Sequence, residues 1–137
     1  MSLALKDTQV KGTRALPSAA STTVDGGAID LGHGSYGDFV AQAEFKVSAP
    51  AVNATMAPDT RTFTYSVIHS DNSDLSSASI LHSAVITQTG AGGAGAAAAT
   101  ATVRLPVDAK RYLGVRVVSG ASTADASTVS ATLEALL

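Results

Sequence analysis

The 137-residue sequence predicts an all-β fold: an antiparallel β-sandwich, jelly-roll-like, with about eight short strands. Three observations carry this reading. Runs rich in Val, Thr, Ser and Ala alternate apolar and polar residues with period two, the spacing of a half-buried strand. Gly, Pro, Asn and Asp clusters that favour turns separate the runs. No segment carries the long helical periodicity of an amphipathic helix.

The elements follow in chain order. Residues 8–16 and 21–31 are weaker strands. In 39–47, Phe39, Ala41, Ala43, Phe45 and Val47 face one way and Gln42, Glu44 and Lys46 the other. Residues 61–70 repeat the pattern with Phe63, Tyr65, Val67 and His69, and the two runs are expected to be antiparallel neighbours. Strands are also expected over 80–89 and over 99–105, where Ala99, Ala101, Val103 and Leu105 alternate with Thr100, Thr102 and Arg104 until Pro106 ends the pairing. Leu113, Val115 and Val117 share one face of 112–119. Residues 128–136 alternate through Val129, Ala131, Leu133 and Ala135, and their Thr and Val content favours a strand over a helix. Asp25-Gly26-Gly27 and residues 32–37 are expected as turns, Pro50 and Pro58 bracket a loop, and 70–79 is a polar turn with room for one helical turn near 73–77.

A chain of this length forms one domain: residues 1–16 as an N-terminal arm or first strand, and 17–137 as a single β-sandwich. At 45% hydrophobic and 15% charged residues it is too apolar for a disordered chain. Aromatics are only 4%, so a thin core is expected, anchored by Phe39, Phe45, Phe63, Tyr65, Leu81, Val85, Val103, Leu113, Val115 and Val117. A thin core favours stability gained by association. The net charge of −2 argues against nucleic-acid binding, for which the Arg104, Lys110, Arg111 and Arg116 cluster is too small. With no Cys there is neither a disulfide framework nor a Cys-based zinc site. No run is long enough to span a membrane, and the start lacks a secretory pattern, so a soluble product made in the cytoplasm is expected.

Residues that suggest chemistry have simpler explanations. Gly90-Ala-Gly-Gly-Ala-Gly95 matches the spacing of a dinucleotide-binding turn, but it leads into a strand pattern where that motif needs a helix, so a mobile or partner-clasping hairpin loop is expected. His33, His69 and His82 share no metal-ligand spacing, and His69 continues an apolar strand face. Asp71-Asn72-Ser73-Asp74 resembles part of a calcium loop without its glycine or its closing Glu. No Gly-x-Ser-x-Gly elbow is present, and no enzyme activity or cofactor is expected. Asn53-Ala54-Thr55 fits a glycosylation acceptor without a secretory context. Lys110, Arg111 and Arg116 read either as solvated surface charge or as an edge that meets acidic groups of a partner.

Residues 105–118, followed after a small-residue turn by 128–137, resemble the C-terminal half of small cement or decoration proteins of tailed bacteriophages, of the Bordetella-phage type. Residues 68–81 are similar to that family's polar turn and small-residue strand, and Ala28-Ile29-Asp30-Leu31-Gly32 to an early segment. The resemblance implies a jelly roll on the outer surface of an icosahedral virion that clamps major capsid subunits together. It also implies symmetric self-association as a homo-oligomer, dimer or trimer, while charge and hydropathy, as above, leave no nucleic-acid or membrane partner expected. The candidate contacts with the shell or with neighbouring subunits are Leu3, Leu5 and Lys6 in the arm, Gly92 and Gly93 in the 90–99 loop, and Lys110, Arg111 and Arg116. The 50–59 connection and the 90–99 loop depart from the compact family pattern. Two other classes share the fold: a tail or fibre module, and a carbohydrate-binding sandwich. For the latter, Tyr36, Tyr65 and Tyr112 are the only Tyr platforms and Trp is absent, so its best ligand position is 32–37, with His33 and Tyr36.

Overall fold

The computed structural model describes residues 11–31, 44–106 and 108–136. They form β1 (Lys11–Ala15), β2 (Thr23–Asp30), β3 (Glu44–Ala49), β4 (Thr62–Ser70), β5 (Ser79–Thr89), β6 (Ala99–Arg104), β7 (Tyr112–Ser119) and β8 (Ser130–Leu136). One four-stranded sheet has the order β1-β8-β3-β6 and the other β2-β7-β4-β5. The pairs β4·β5, β3·β6, β2·β7 and β1·β8 are all antiparallel. The chain is therefore one long hairpin, folded between β4 and β5 and wrapped so that successive pairs fall alternately in the two sheets. That is a jelly roll, built of two Greek keys.

The wrapping overturns one expectation. Residues 39–47 and 61–70 are not sheet neighbours: β3 lies between β8 and β6, and β4 between β7 and β5 in the other sheet. Pro50, which has no N–H to continue a ladder, begins the connection that carries the chain across. Alternation fixes which face of a strand is buried, and here both faces point into one core. Phe45, Val47, Phe63, Tyr65, Val67, Leu113, Val115, Val117, Ala131 and Leu133 are fully buried between the sheets. Each large side chain among them stabilises the fold by about 2 kcal/mol relative to an exposed position. Leu81, Val85 and Val103 are only partly buried against this core, and Phe39 lies outside the described residues.

Asp25-Gly26-Gly27 is not a turn between strands. It sits inside β2, where the register with β7 slips between Gly26 and Ile29 and Gly27 takes φ 66°. This bulge brings β2 against β1 so closely that a Cβ on Gly12 would overlap the Gly27 carbonyl, and it closes the seam between the sheets on that side. On the other side His82 of β5 hydrogen-bonds the Arg104 carbonyl of β6 at 2.9 Å. A carbonyl only accepts, so His82 Nε2 carries a proton. Residues 71–78 form successive turns and no helix. Leu75 of this segment is buried over Gly114, where a Cβ would run into its side chain, and so covers part of the outer face of β7.

Candidate functional site

Four connections gather at one end of the sandwich: 16–22, 50–61, 90–98 and 120–129. Hydrogen bonds between their backbones knit them into one layer. Leu16 N–H donates to the Val129 carbonyl at 3.0 Å, Ala126 N–H to Pro17 at 3.0 Å, Ser21 N–H to Gly120 at 3.0 Å, and Ala124 N–H to Met56 at 3.1 Å. Val52 and Ala96 exchange two bonds, of 3.0 and 2.9 Å. Asn53 caps its own turn, its Oδ1 accepting the N–H of Thr55 at 3.0 Å and of Met56 at 2.9 Å. That accounts for Asn53 and Thr55 as turn chemistry.

The buried Gln88 anchors two of these connections to the core. Its Oε1 accepts the Tyr65 hydroxyl at 2.6 Å, and its Nε2 donates to the carbonyls of Pro50 at 2.7 Å and Ala97 at 3.0 Å. Burial pushes the Tyr65 phenol well above its ordinary pKa, so it remains a donor. Further out, Gly95 at φ 70° presses its backbone on Val52 so tightly that a Cβ would overlap the Val52 carbonyl. Gly92 and Gly93, at φ 61° and 67°, form the exposed tip with open space around them. The Gly93 N–H donates to Asp59 Oδ1 at 2.8 Å. Beneath the tip an open cleft of about 560 Å³ is lined by Ala51, Val52, Asn53, Met56, 94–97 and Val129, none of them ionisable.

Lys110 and Arg111 lie at the opposite end, about 25 Å away along β4. Arg111 forms a two-pronged pair with Asp30, at 2.8 and 2.9 Å, and its guanidinium lies 5.0 Å from the Tyr112 ring centre. Lys110 Nζ is 3.7 Å from Asp71. Its backbone N–H donates to Nδ1 of the buried His69 at 3.1 Å, which fixes that nitrogen as unprotonated. Burial, then the nearby Lys110 charge, lowers the His69 pKa, while Asp108 and Asp71 oppose the shift. On the outer face of β7 Arg116 meets Asp25 of β2 through two bonds, of 2.7 and 2.9 Å, and this pairing raises the Arg116 pKa.

The structure thus places Gly92 and Gly93 at one end of the sandwich, Lys110 and Arg111 at the other, and Arg116 between them on an outer face. Leu3, Leu5 and Lys6 lie outside the described residues, as do His33 and Tyr36. The cations read from sequence as solvated or partner-facing are each paired with a carboxylate of this chain. The 90–98 connection is not a hairpin: β5 and β6 belong to different sheets, and the loop crosses between them held by Gln88, Val52 and Asp59. It leads into a strand, as its sequence implied. Asp74 serves its own turn, accepting the Ser76 N–H at 2.9 Å, and this bond lowers its pKa. Among the described residues no three His, Asp or Glu side chains converge as a metal site.

Sequence reasoning missed Gln88 and the two-pronged ion pairs. Gln88 had a signal, since it shares the inward phase of Ile86 on β5. Asp25 and Asp30 are separated from Arg116 and Arg111 by most of the chain, and nothing local links them. No protein-family model, curated protein or solved structure matches this chain.

Proposed function

We propose that the protein is a structural virion component: a jelly-roll decoration protein that binds the outer surface of an icosahedral phage capsid and stabilises contacts between major capsid subunits. The observation that carries this reading is the knitted end of the sandwich. A cement function needs a preshaped surface and no reactive group, because ordering loops at the moment of binding costs affinity. Here four connections are already ordered by mutual backbone bonds, and they present small residues around the Gly92-Gly93 tip, with the exposed Asp59 carboxylate held on the Gly93 N–H. The jelly-roll order, a common architecture of viral capsid and lectin domains, and the resemblance over 105–118 and 128–137 support the same reading.

The test is co-sedimentation of purified protein with phage capsids stripped of their own decoration. Saturable binding at a fixed ratio to capsid subunits, weakened at least tenfold by Ala91→Arg at the exposed tip, is the expected result. A protein that ignores the shells, or binds without a limiting ratio, would overturn the proposal.

A further inference from the structure

An edge strand exposes a row of unpaired N–H and C=O groups, and folded proteins protect such edges with bulges, charges, proline or a covering segment. Among the described residues, three of the four sheet edges are protected, and the fourth, β6, is capped only at Arg104, whose carbonyl accepts from His82. β1 is covered by the close approach of β2 at Gly12 and Gly27. β2 carries the bulge after Gly26, and β5 is interrupted twice, between its partners to Tyr65 and Val67 and again before Ile68, with Ala84 at φ 52°. β6 pairs β3 without a register shift from Ala99 to Arg104 and has no charge or proline before Arg104. Thr100, Thr102 and Arg104 are exposed on its outer face.

The direction of the free groups on β6 follows from the ladder. In an antiparallel pair, alternate residues exchange both of their hydrogen bonds with the partner, and the residues between them point the other way. The ladder runs to Ala49 opposite Ala99 and stops at Pro50. Pro50 has no N–H, so a bridge at Ala49 requires that Ala49 and Ala99 bond each other directly. By alternation Ala101 and Val103 also bond to β3, and Thr100, Thr102 and Arg104 turn their N–H and C=O outward. The His82 bond to the Arg104 carbonyl, which approaches from outside the ladder, agrees with that phase. No hydrogen bond from Thr100 or Thr102 to another described residue lies outside the β3 ladder.

We infer that β6 is a self-pairing edge whose partner is β6 of a second copy, related by a two-fold axis through Thr102. A two-fold perpendicular to the sheet keeps outer faces together only if paired residues share the same parity. Thr102 opposite Thr102 of the second copy, and Thr100 opposite the second copy's Arg104, meet that condition. The same pairing joins outward-pointing groups, giving about four backbone hydrogen bonds, because the Arg104 carbonyl of each copy already accepts from His82. No like charges oppose each other, since Arg104 meets Thr100 and keeps its own Glu44 partner at 3.1 Å. The product is a continuous eight-stranded sheet, β1-β8-β3-β6 followed by its two-fold copy, and the symmetry closes it at a dimer. This inference is independent of the capsid reading: it concerns the free protein and holds whichever surface the dimer binds.

The test uses the full chain, which has no cysteine of its own. Opposed residues in a hydrogen-bonded antiparallel pair lie about 5.5 Å apart at Cα, within disulfide reach. Thr102→Cys is expected to form a disulfide-linked dimer under mild oxidation, whereas Thr87→Cys on the exposed face of β5 stays monomeric. In sedimentation equilibrium the unmodified protein is expected to dimerise reversibly. Thr102→Pro, which removes only an outward N–H, and Thr102→Lys, which sets like charges opposite each other at the axis, are each expected to weaken dimerisation at least tenfold with unchanged circular dichroism. Should Thr102→Pro fail to fold, Thr102→Lys decides alone. A wild-type protein that stays monomeric at millimolar concentration, a folded Thr102 variant that dimerises like wild type, or equal cross-linking at positions 87 and 102 would overturn the inference.

Discussion

Replacing Gln88 by Leu tests the claim that one buried amide holds two loops onto the core. The substitution removes three hydrogen bonds, of 2.6, 2.7 and 3.0 Å, each contributing about 1 kcal/mol net, and leaves the Tyr65 hydroxyl and two carbonyls short of a partner. The expected loss is about 3–4 kcal/mol, partly offset by the greater apolarity of Leu. For a chain of this size that corresponds to a fall in Tm of about 10 °C. Tyr65→Phe removes only the first bond and strands the Gln88 Oε1, so it should cost about 1.5 kcal/mol. In the double variant that stranded acceptor no longer exists. The two effects should therefore fail to add by about 1–1.5 kcal/mol. Urea unfolding of the four proteins, followed by circular dichroism, measures the coupling. Limited proteolysis of Gln88→Leu should also find new cleavage within 50–61 and 90–98. Strict additivity, or a Gln88→Leu protein as stable and protease-resistant as wild type, would refute the reasoning.

Two further predictions concern pH and the loop glycines. Because the His69 pKa is lowered in the folded state, the unfolded chain takes up the extra proton first. Its contribution to stability is complete above the ordinary imidazole pKa of about 6.5, declines as pH falls below that, and levels off beneath the folded-state value. Urea midpoints between pH 7.5 and 4.5 should show this decline, and His69→Gln should flatten it; an unchanged profile would show that His69 does not titrate on unfolding. Gly95→Ala combines a positive φ with overlap on the Val52 carbonyl and should cost at least about 3 kcal/mol. Gly92→Ala has open space and only the backbone cost of about 1–2 kcal/mol, so equal losses in thermal melts would contradict the loop geometry.

Much of this fold was readable from alternation alone. Phe63, Tyr65, Leu113, Val115 and Val117 all lie on the buried faces that period two assigned them, and the Gly, Pro and Asn clusters fall largely between strands. Partner choice was not readable. In a jelly roll β3 pairs β6 and β8 from far along the chain, whereas periodicity reports only which face is buried. Asp25-Gly26-Gly27 carries the composition of a turn because a bulge needs the same positive φ, and residue type does not separate the two uses. The cations of 105–118 were visible, but their carboxylate partners at Asp25, Asp30 and Asp71 are brought to them only by strand pairing. Gln88 was legible as a polar residue in an inward phase; which carbonyls it satisfies depends on loops whose paths no local pattern encodes.

The position of β8 between β1 and β3 has a consequence for biosynthesis. The sheet β2-β7-β4-β5 contains nothing beyond Ser119, so its ladders can form while the chain is still growing. The other sheet has its central strand at residues 130–136. Until those residues emerge, β1 has no ladder partner and β3 keeps only its β6 edge, with Phe45 and Val47 lacking one wall of their core. Closure of the sandwich therefore waits until residues 130–136 have been made, and the long sequence separation between β1 and β8 makes it a slow step. Truncation a few residues before Leu136 should trap a half-built, adhesive sheet in place of a slightly less stable protein.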